Sequence, residues 1–476
     1  MHNNKPSQRR SNRTYPNILA AMLVPLLAAL VMTSASTVRA ADLVPFTQDS
    51  LSNGLTIILH EDRATPVAAL MMMYHVGSKN ERPGKTGFAH LFEHVMFKGS
   101  AHIADGEHFR LLQEIGANIN GSTNEDRTNY FEVVPSNHLE LAIYLESDRM
   151  GFLLDAVSQQ KLDNQRDVVK NERRQNYDNQ PYGTAFEKLA KALYPAGHPY
   201  SWPVIGSMED LSAASLDDVK DFFRTYYAPN NACIVITGNF DRQQVFGWIQ
   251  KYFGTIPRGK PIERPHPRPV ALTADKRLVF EDKVQLPRLY IVWPSARGYT
   301  REDAVLDVLS DILAWGKNSR LYKALVYEQQ IAQSVSCTQG GSEIAGEFMI
   351  TVTAKPGKTL GEMETAVNRE LKALLDTGAS DHEIEAAVNN VESRRISRIA
   401  TALGQAGVLA TSFTITGDAG SFNREDERYA GISPAEVLQQ AKAVLSGHKV
   451  LLSVVPEGKI NLSAEPGTGS GKEIPK

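Results

Sequence analysis

The segment FAHLFEHVMFKGS, residues 88–100, places His90, Glu93 and His94 within five positions. On a helix, residues four apart share one face, so His90 and His94 point the same way. Two imidazoles so placed can reach one zinc ion, and the Glu93 carboxylate between them can take a proton from an attacking water. Gly84 and Gly87 open the segment 85–97 and Gly99 follows it, as expected for a helix closed by a glycine cap. Phe97 extends the histidine face by one further turn. With 12 histidines in 476 residues, H-x-x-E-H arises by chance in only ~2% of such chains, which favours a metal site over an ordinary polar helix.

A catalytic zinc takes three protein ligands and keeps one position open. The segment KLDNQRDVVKNERRQNYD, 161–178, supplies a candidate third. Gln165, Val168, Val169 and Glu172 follow i, i+3, i+4, i+7 spacing, which puts Glu172 on the partly apolar stripe of a highly charged helix. A carboxylate there needs a counter-charge, and a metal provides one. Glu140 and Glu146 are the competitors, but their pattern fits a surface amphipathic helix.

The elements that position these residues occur twice. Strand-like runs at 56–60, 67–76, 129–134 and 232–238 are followed, some 217–221 residues later, by runs at 277–281, 288–294, 347–354 and 449–456. Helical patterns recur between them, TGFAHLFEHVMF in the first half and EDAVLDVLSDILAW in the second, and the second has no histidine. The proline-rich stretch 257–274 reads as an extended linker. The chain therefore divides into 45–256 and 275–460, with a Gly/Ser/Lys-rich tail at 463–476 expected to be disordered.

Composition narrows the partners. The formal net charge is −3, and no basic stripe marks a nucleic-acid surface. Arg9, Arg10 and Arg13 precede an apolar run, 18–32, and a small-residue stretch ending at Ala40, the layout of a secretory signal over 1–40. That run is short for a membrane span and contains Pro25, so export to a bacterial periplasm is expected rather than membrane anchoring. Cys233 and Cys337 both fall in strand-like runs. Two separate core residues are expected, although an oxidising compartment would allow them to pair.

H-x-x-E-H reverses the order of the common zinc-peptidase motif and is the inverzincin arrangement. Together with GKTGFAHLFEHVMFKGS, RDVVKNERRQ, GANINGSTNEDRTNYFEV and YYAPNNACIVITGNFD, it resembles the pitrilysin/insulinase family of zinc metallopeptidases, in the bacterial branch similar to mitochondrial processing peptidase. The resemblance covers about residues 45–456. It implies an α+β fold of two homologous sandwich domains, each a mixed, mainly antiparallel sheet with helices packed on it, forming half of a clamshell. It implies one Zn2+ per chain held by His90, His94 and Glu172, with Glu93 as the base. It also implies substrate contacts at Asn120, whose strand would pair with an extended peptide, and at Gly121 and Phe97. One departure stands at Gln165, where many members carry a further glutamate.

The resemblance further implies an arginine and a tyrosine, seven residues apart in the second half, that hold the substrate carbonyl. Those positions read Val326 and Gln333, and Arg320 and Tyr322 nearby belong to the common SRLY helix start. The expectation is a zinc endopeptidase acting on peptides or unfolded chains in an enclosed chamber. Its partner is a homologous subunit carrying the Arg/Tyr pair, a heterodimer in preference to a homodimer. The rival readings are a non-catalytic assembly subunit and a metal sensor without turnover. Intact Glu93 argues against the sensor.

Overall fold

The computed structural model describes Asp42–Ala464, so the expected signal segment and the tail beyond residue 464 lie outside the described residues. The first half runs β1 (Thr47–Ser50), β2 (Thr56–Glu61), β3 (Val67–Tyr74), α1 (Phe88–Val95), α2 (Glu107–Glu114), β4 (Asn118–Thr123) and β5 (Thr128–Pro135). It continues through α3 (Leu139–Ala156), α4 (Gln159–Arg173), α5 (Ala185–Leu193), α6 (Met208–Ala213), α7 (Leu216–Tyr226), β6 (Ala232–Gly238) and α8 (Arg242–Phe253). The second half runs β7 (Lys276–Asp282), β8 (Arg288–Ser295), α9 (Arg301–Ala314), β9 (Ala332–Gly341), β10 (Gly346–Ala354) and α10 (Leu360–Thr377). It ends with α11 (Asp381–Arg398), α12 (Ala402–Thr416), α13 (Glu425–Tyr429), α14 (Pro434–Leu445) and β11 (Val450–Pro456).

The two sheets have one topology. The first is ordered β1-β2-β6-β3-β5-β4 and the second β7-β11-β8-β10-β9. Without β1 the orders superimpose, including one parallel pair in each, β2 with β6 and β7 with β11, among otherwise antiparallel neighbours. The α+β duplication expected from the spacing of the strand-like runs is thus the observed architecture. In both sheets the strand nearest the helical face of interest, β4 or β9, is an edge strand with a single neighbour.

Alternation along the strands assigns each face. In β3, Ala68, Leu70, Met72 and Tyr74 enter the core beneath α1, α3, α4, α7 and α8, whereas Met71 and Met73 point the other way. That second face, with Ile58, Cys233 and Val235, is covered by Ala406, Leu409 and Ala410 of α12, a helix from the other half of the sequence. The exchange is mutual. Ala185, Leu189 and Leu193 of α5 cover Tyr290, Val292, Leu452 and Val454 on the outer face of the second sheet. Division of the sequence at 257–274 is therefore not the division of the packing. The stretch 257–274 has neither helix nor strand, yet Arg264 donates to His75 O (2.9 Å) and Asn231 Oδ1 (2.6 Å), holding it to the body. Ser463, placed by sequence in a loose tail, is buried, and Ala464 N donates to Ser453 Oγ (3.2 Å).

A buried polar cluster joins the hairpin tips of the two sheets. Glu343, in the β9–β10 turn, accepts from His75 Nε2 (2.7 Å) and from Lys79, and its own N–H donates to Asp126 Oδ2 (2.9 Å) in the β4–β5 turn. Tyr200 OH donates to Asp126 Oδ1 (2.6 Å) and accepts from Ile344 N (3.2 Å). Cys233 and Cys337 sit on strands of different sheets, and both are free thiols.

Candidate functional site

The site is built on α1, and its first turn is tied on three sides. Glu81 accepts from Gly87 N (2.9 Å) and Ala89 N (2.8 Å), which satisfies helix-start donors with the two oxygens of its carboxyl group. Thr86 donates through N and Oγ1 to Asp210 Oδ2 (2.9 and 2.6 Å). Gly87, in the left-handed region at φ 89°, lies against Gly206, and a Cβ on Gly87 would stand 2.8 Å from Ile205 O. Phe88, Leu91, Phe92 and Val95 bury the inner face of the helix, and the polar face is left for His90, Glu93 and His94.

Glu172 comes from the end of α4, where the helix opens into a π turn over Arg174–Asp178. Its Oε2 lies 3.1 Å from His94 Nε2 and 3.8 Å from His90 Nε2. The donor atoms of His90, His94 and Glu172 all fall within 4.8 Å of one another. A tetrahedral zinc with bonds of ~2.0–2.2 Å separates its ligand atoms by ~3.3–3.5 Å, so this donor set fits the ion. The electrostatics agree with a neutral His90 imidazole and an ionised Glu172 carboxylate. Burial, reinforced by His94, holds the His90 imidazole down, to about 4. The hydrogen bond from His94 draws Glu172 below its ordinary range. His90 Nδ1 is buried without a protein partner.

Glu93 faces the edge strand. Thr123 Oγ1 donates to Glu93 Oε2 (2.6 Å), and a Cβ on Gly121 would come within 3.2 Å of Glu93 Cγ. Burial raises the Glu93 carboxyl and the Thr123 bond partly offsets it. Gly121 and Thr123 thus share the face of β4 that meets the helix. Asn120 is exposed, and its Oδ1 accepts from Gly121 N (2.8 Å). Thr123 and Glu81 escaped sequence reading. The two-residue alternation from Gly121 to Thr123 was a usable signal for the first, whereas Glu81 had none beyond its place seven residues before Phe88.

Several expectations change with the structure. On α4 the buried residues are Leu162, Gln165 and Val169, while Val168 is 45% exposed and lies off the stripe. Glu140 is a surface residue, accepting from Lys251 Nζ (3.2 Å) and Tyr252 OH (2.8 Å). Glu146 is not on a surface face at all. It is fully buried and receives Arg149 Nε (2.8 Å), while Arg149 Nη2 also reaches Glu132 Oε1 (3.2 Å). A self-neutralising pair at i, i+3 let two charged residues enter the core. His108, Glu132 and Glu146 form a second group of converging metal-type donors, but both of its carboxylates already pair with the Arg149 guanidinium. Phe97 packs into this region, its ring 4.7 Å from Phe109 and 5.1 Å from the Arg149 guanidinium, so its contacts are those of a buttress behind α1.

In the second half Val326 packs against the core and Gln333 is exposed on β9. Arg320 is engaged by Glu383 (2.6 and 2.8 Å) and Gly378 O (2.9 Å). No single helix among the described residues is long and apolar enough to cross a membrane.

Comparison with known proteins follows the same division into halves. The profile of the insulinase family (peptidase family M16) matches residues 56–204, and that of the peptidase M16 inactive domain matches 213–391. The chain is 28% identical over 393 residues to the zinc protease PqqE of Helicobacter pylori, spanning 82% of this chain and 88% of that one. It is 27% identical over 217 residues to the β subunit of the mitochondrial processing peptidase of Lentinula edodes, covering 45% of this chain and 46% of the relative. Among solved structures, a protease from Helicobacter pylori superposes with a TM-score of 0.81 at 24% identity, covering 87% of this chain and all of that one. A peptidase M16 inactive domain from Pseudomonas fluorescens superposes with a TM-score of 0.76 at 17% identity, over 87% and 98% of the two chains. Both share this fold.

Proposed function

The chain belongs to the insulinase (M16) family of peptidases, and within it we propose a zinc-dependent endopeptidase whose metal is held by His90, His94 and Glu172. The convergence of those three donors beside a carboxylate fixed by Thr123 carries the reading. Zinc bound there supplies a Lewis acid for the scissile carbonyl and makes a neighbouring water acidic near neutral pH. Glu93 takes the proton of the attacking water and returns it to the leaving nitrogen. Thr123 holds the Glu93 carboxylate at one oxygen and leaves the other for that transfer. The free edge of β4 offers main-chain groups to an extended peptide, a mode that recognises backbone with little sequence preference. Asn120 and Gly121 lie on that edge, and the Asn120 side chain has to release Gly121 N for a peptide to pair there.

The second half supplies no donor at Val326 and only a neutral amide at Gln333, which supports a two-subunit enzyme. The proposed partner is a homologous exported chain lacking H-x-x-E-H and carrying the Arg/Tyr pair, the two closing a chamber in the periplasm around the peptide. The processing peptidase β subunit among the relatives is itself named as one subunit of a peptidase. The inactive-domain match falls on 213–391, outside the H-x-x-E-H segment, and so does not favour a non-catalytic subunit. The deciding experiment measures zinc stoichiometry and peptide hydrolysis for the purified chain, alone and mixed with the candidate partner. One zinc per chain, with hydrolysis that appears on mixing and vanishes in Glu93→Gln at unchanged zinc content, is the expected result. Full activity of the chain alone refutes the heterodimer, and activity retained by Glu93→Gln refutes the base.

A further inference from the structure

The repeated topology lets the second half be compared with the zinc half residue by residue. Where α1 faces α4 in the first half, α9 follows the equivalent strand and faces α11 in the second. On α9, Asp303, Asp307 and Asp311 recur at four-residue spacing. On α11, Arg394, Arg395 and Arg398 line, with Asp303 and Asp307, a cavity of about 240 Å3, which Arg428 also lines. The polarity is inverted: imidazoles meet a carboxylate in the first half, and carboxylates meet guanidiniums here.

The charges do not cancel within the cavity. Arg394 donates to both oxygens of Asp311 (2.9 and 3.2 Å). Arg428 donates to Asp303 Oδ2 (3.1 Å) and to Glu425 Oε1 (3.0 Å). Asp307 accepts from Tyr429 OH (2.7 Å), and burial together with Asp303 pushes its carboxyl up to about 7, which removes part of its charge near neutrality. Two guanidiniums make no hydrogen bond to a carboxylate. Arg395 is 8% exposed, and its Nη1 is buried without a hydrogen-bond partner, 3.6 Å from the exposed Asp426 carboxylate. Arg398, exposed at the rim, makes no side-chain hydrogen bond or ion pair among the described residues. A buried N–H without an acceptor is unfavourable, and an acceptor that brings its own negative charge satisfies a guanidinium best.

We propose that this cavity is a binding site for a small anion bearing a carboxylate or phosphate group, held by Arg395 from within and by Arg398 at the mouth. Its volume equals roughly eight water molecules at ~30 Å3 each, enough for one small anion or the end of a peptide. The proposal uses no residue of the zinc half and stands apart from the peptidase reading.

Isothermal titration of the full chain tests it, with inorganic phosphate, succinate, and a capped dipeptide carrying either a free or an amidated C-terminus as probes. At least one anionic probe is expected to bind saturably and the amide not to bind. Arg398→Gln, a rim substitution with no partner to lose, should weaken that binding ~10-fold or more, and Arg395→Gln/Arg398→Gln should abolish it, with zinc content unchanged throughout. Preference for phosphate or succinate identifies a free anion as the ligand. Preference for the free-carboxylate dipeptide identifies a peptide end. Absence of saturable binding by every probe up to ~10 mM, or binding that is the same in Arg398→Gln, overturns the proposal.

Discussion

Gly87→Ala is the sharpest test of how the fold holds the histidines. Gly87 sits at φ 89°, and its missing side chain leaves room for Ile205 O, Gly206 Cα and Leu211 Cδ2, which an added Cβ would meet at 2.8, 2.9 and 3.1 Å. The left-handed backbone alone costs an L-residue ~1–2 kcal/mol. Pushing a methyl into backbone atoms that cannot rotate away adds ~1–3 kcal/mol, for a total of about 2–5 kcal/mol. Gly84 is the internal control: its φ is 83°, and nothing lies within 4 Å of its Cβ position, so Gly84→Ala carries the backbone term alone. Urea unfolding of both variants separates the two contributions. Zinc titration then reads the consequence at the site, because a shifted α1 start moves His90 and His94 relative to Glu172. Gly206→Ala presses on the same contact from the other side, so the double variant should be less destabilised than the sum of the singles. If Gly87→Ala falls within ~0.5 kcal/mol of Gly84→Ala, the close approach does not position the helix and the reasoning fails.

Other outcomes follow from the same geometry. His90→Ala, His94→Ala and Glu172→Ala should each lose zinc by elemental analysis, while Gln165→Ala, buried on the Glu172 face of α4, should weaken it by ~10–100-fold at most. Thr123→Val keeps shape but frees the Glu93 carboxylate; kcat should fall ~10-fold or more with KM and zinc content nearly unchanged, and equal kcat would remove Thr123 from the site. Stability should decline as pH rises from about 6.5 to about 8, because burial raises Glu81 from 4.5 to about 8 and Glu347 from 4.5 to about 7, and the histidines whose pKa burial lowers no longer oppose the trend above 6.5. The folded chain keeps protons that the unfolded chain has released in that window. Urea midpoints across it should fall and Glu81→Gln should flatten the slope; a rising midpoint would contradict the assignment. Residues 42–256 expressed alone should fail to give a cooperatively unfolding monomer, since Ile58, Met71, Met73, Cys233 and Val235 lose α12. At ~1.5–3 kcal/mol for each large apolar side chain, that loss rivals the whole stability of a domain.

The proposed zinc ligands were legible because a metal constrains both residue type and helical spacing, and neither depends on distant parts of the chain. His90, Glu93 and His94 needed only one helix, and Glu172 needed a second helix with an anomalous carboxylate on its stripe. The strand order was foreshadowed by the repeated spacing of apolar runs, since a duplicated chain folds the same pattern twice. What could not be read was long-range compensation. Glu146 looks like a surface residue until Arg149 and Glu132 are seen to surround it. Val168 shares the heptad spacing of Val169 but points to solvent, because the burial arc on α4 is narrower than the stripe assumed. The apolar run of α12 gives no hint of which sheet it covers, because its hydrophobic residues fit either one. Glu81 and Thr123 are polar residues in polar loops, and only their distances to α1 distinguish them.

The exchange of α5 and α12 has a consequence for biosynthesis. During translation the first sheet has all its strands once Gly238 has been made, but the helix that covers its outer face begins only at Ala402. At ~5–20 residues per second, the intervening 164 residues (238 to 402) take roughly 10–30 s. Throughout that interval a nascent chain that had already assembled its first sheet would present Ile58, Met71, Met73 and Val235 as a bare apolar plane to whatever stood nearby. The second sheet has the opposite schedule, for its cover, α5, is synthesised before any of its strands and waits for them. The order of synthesis therefore favours a chain that remains unassembled until its last sixth is available, and a chain cut short between these two points has every strand of its first sheet and no lid for it.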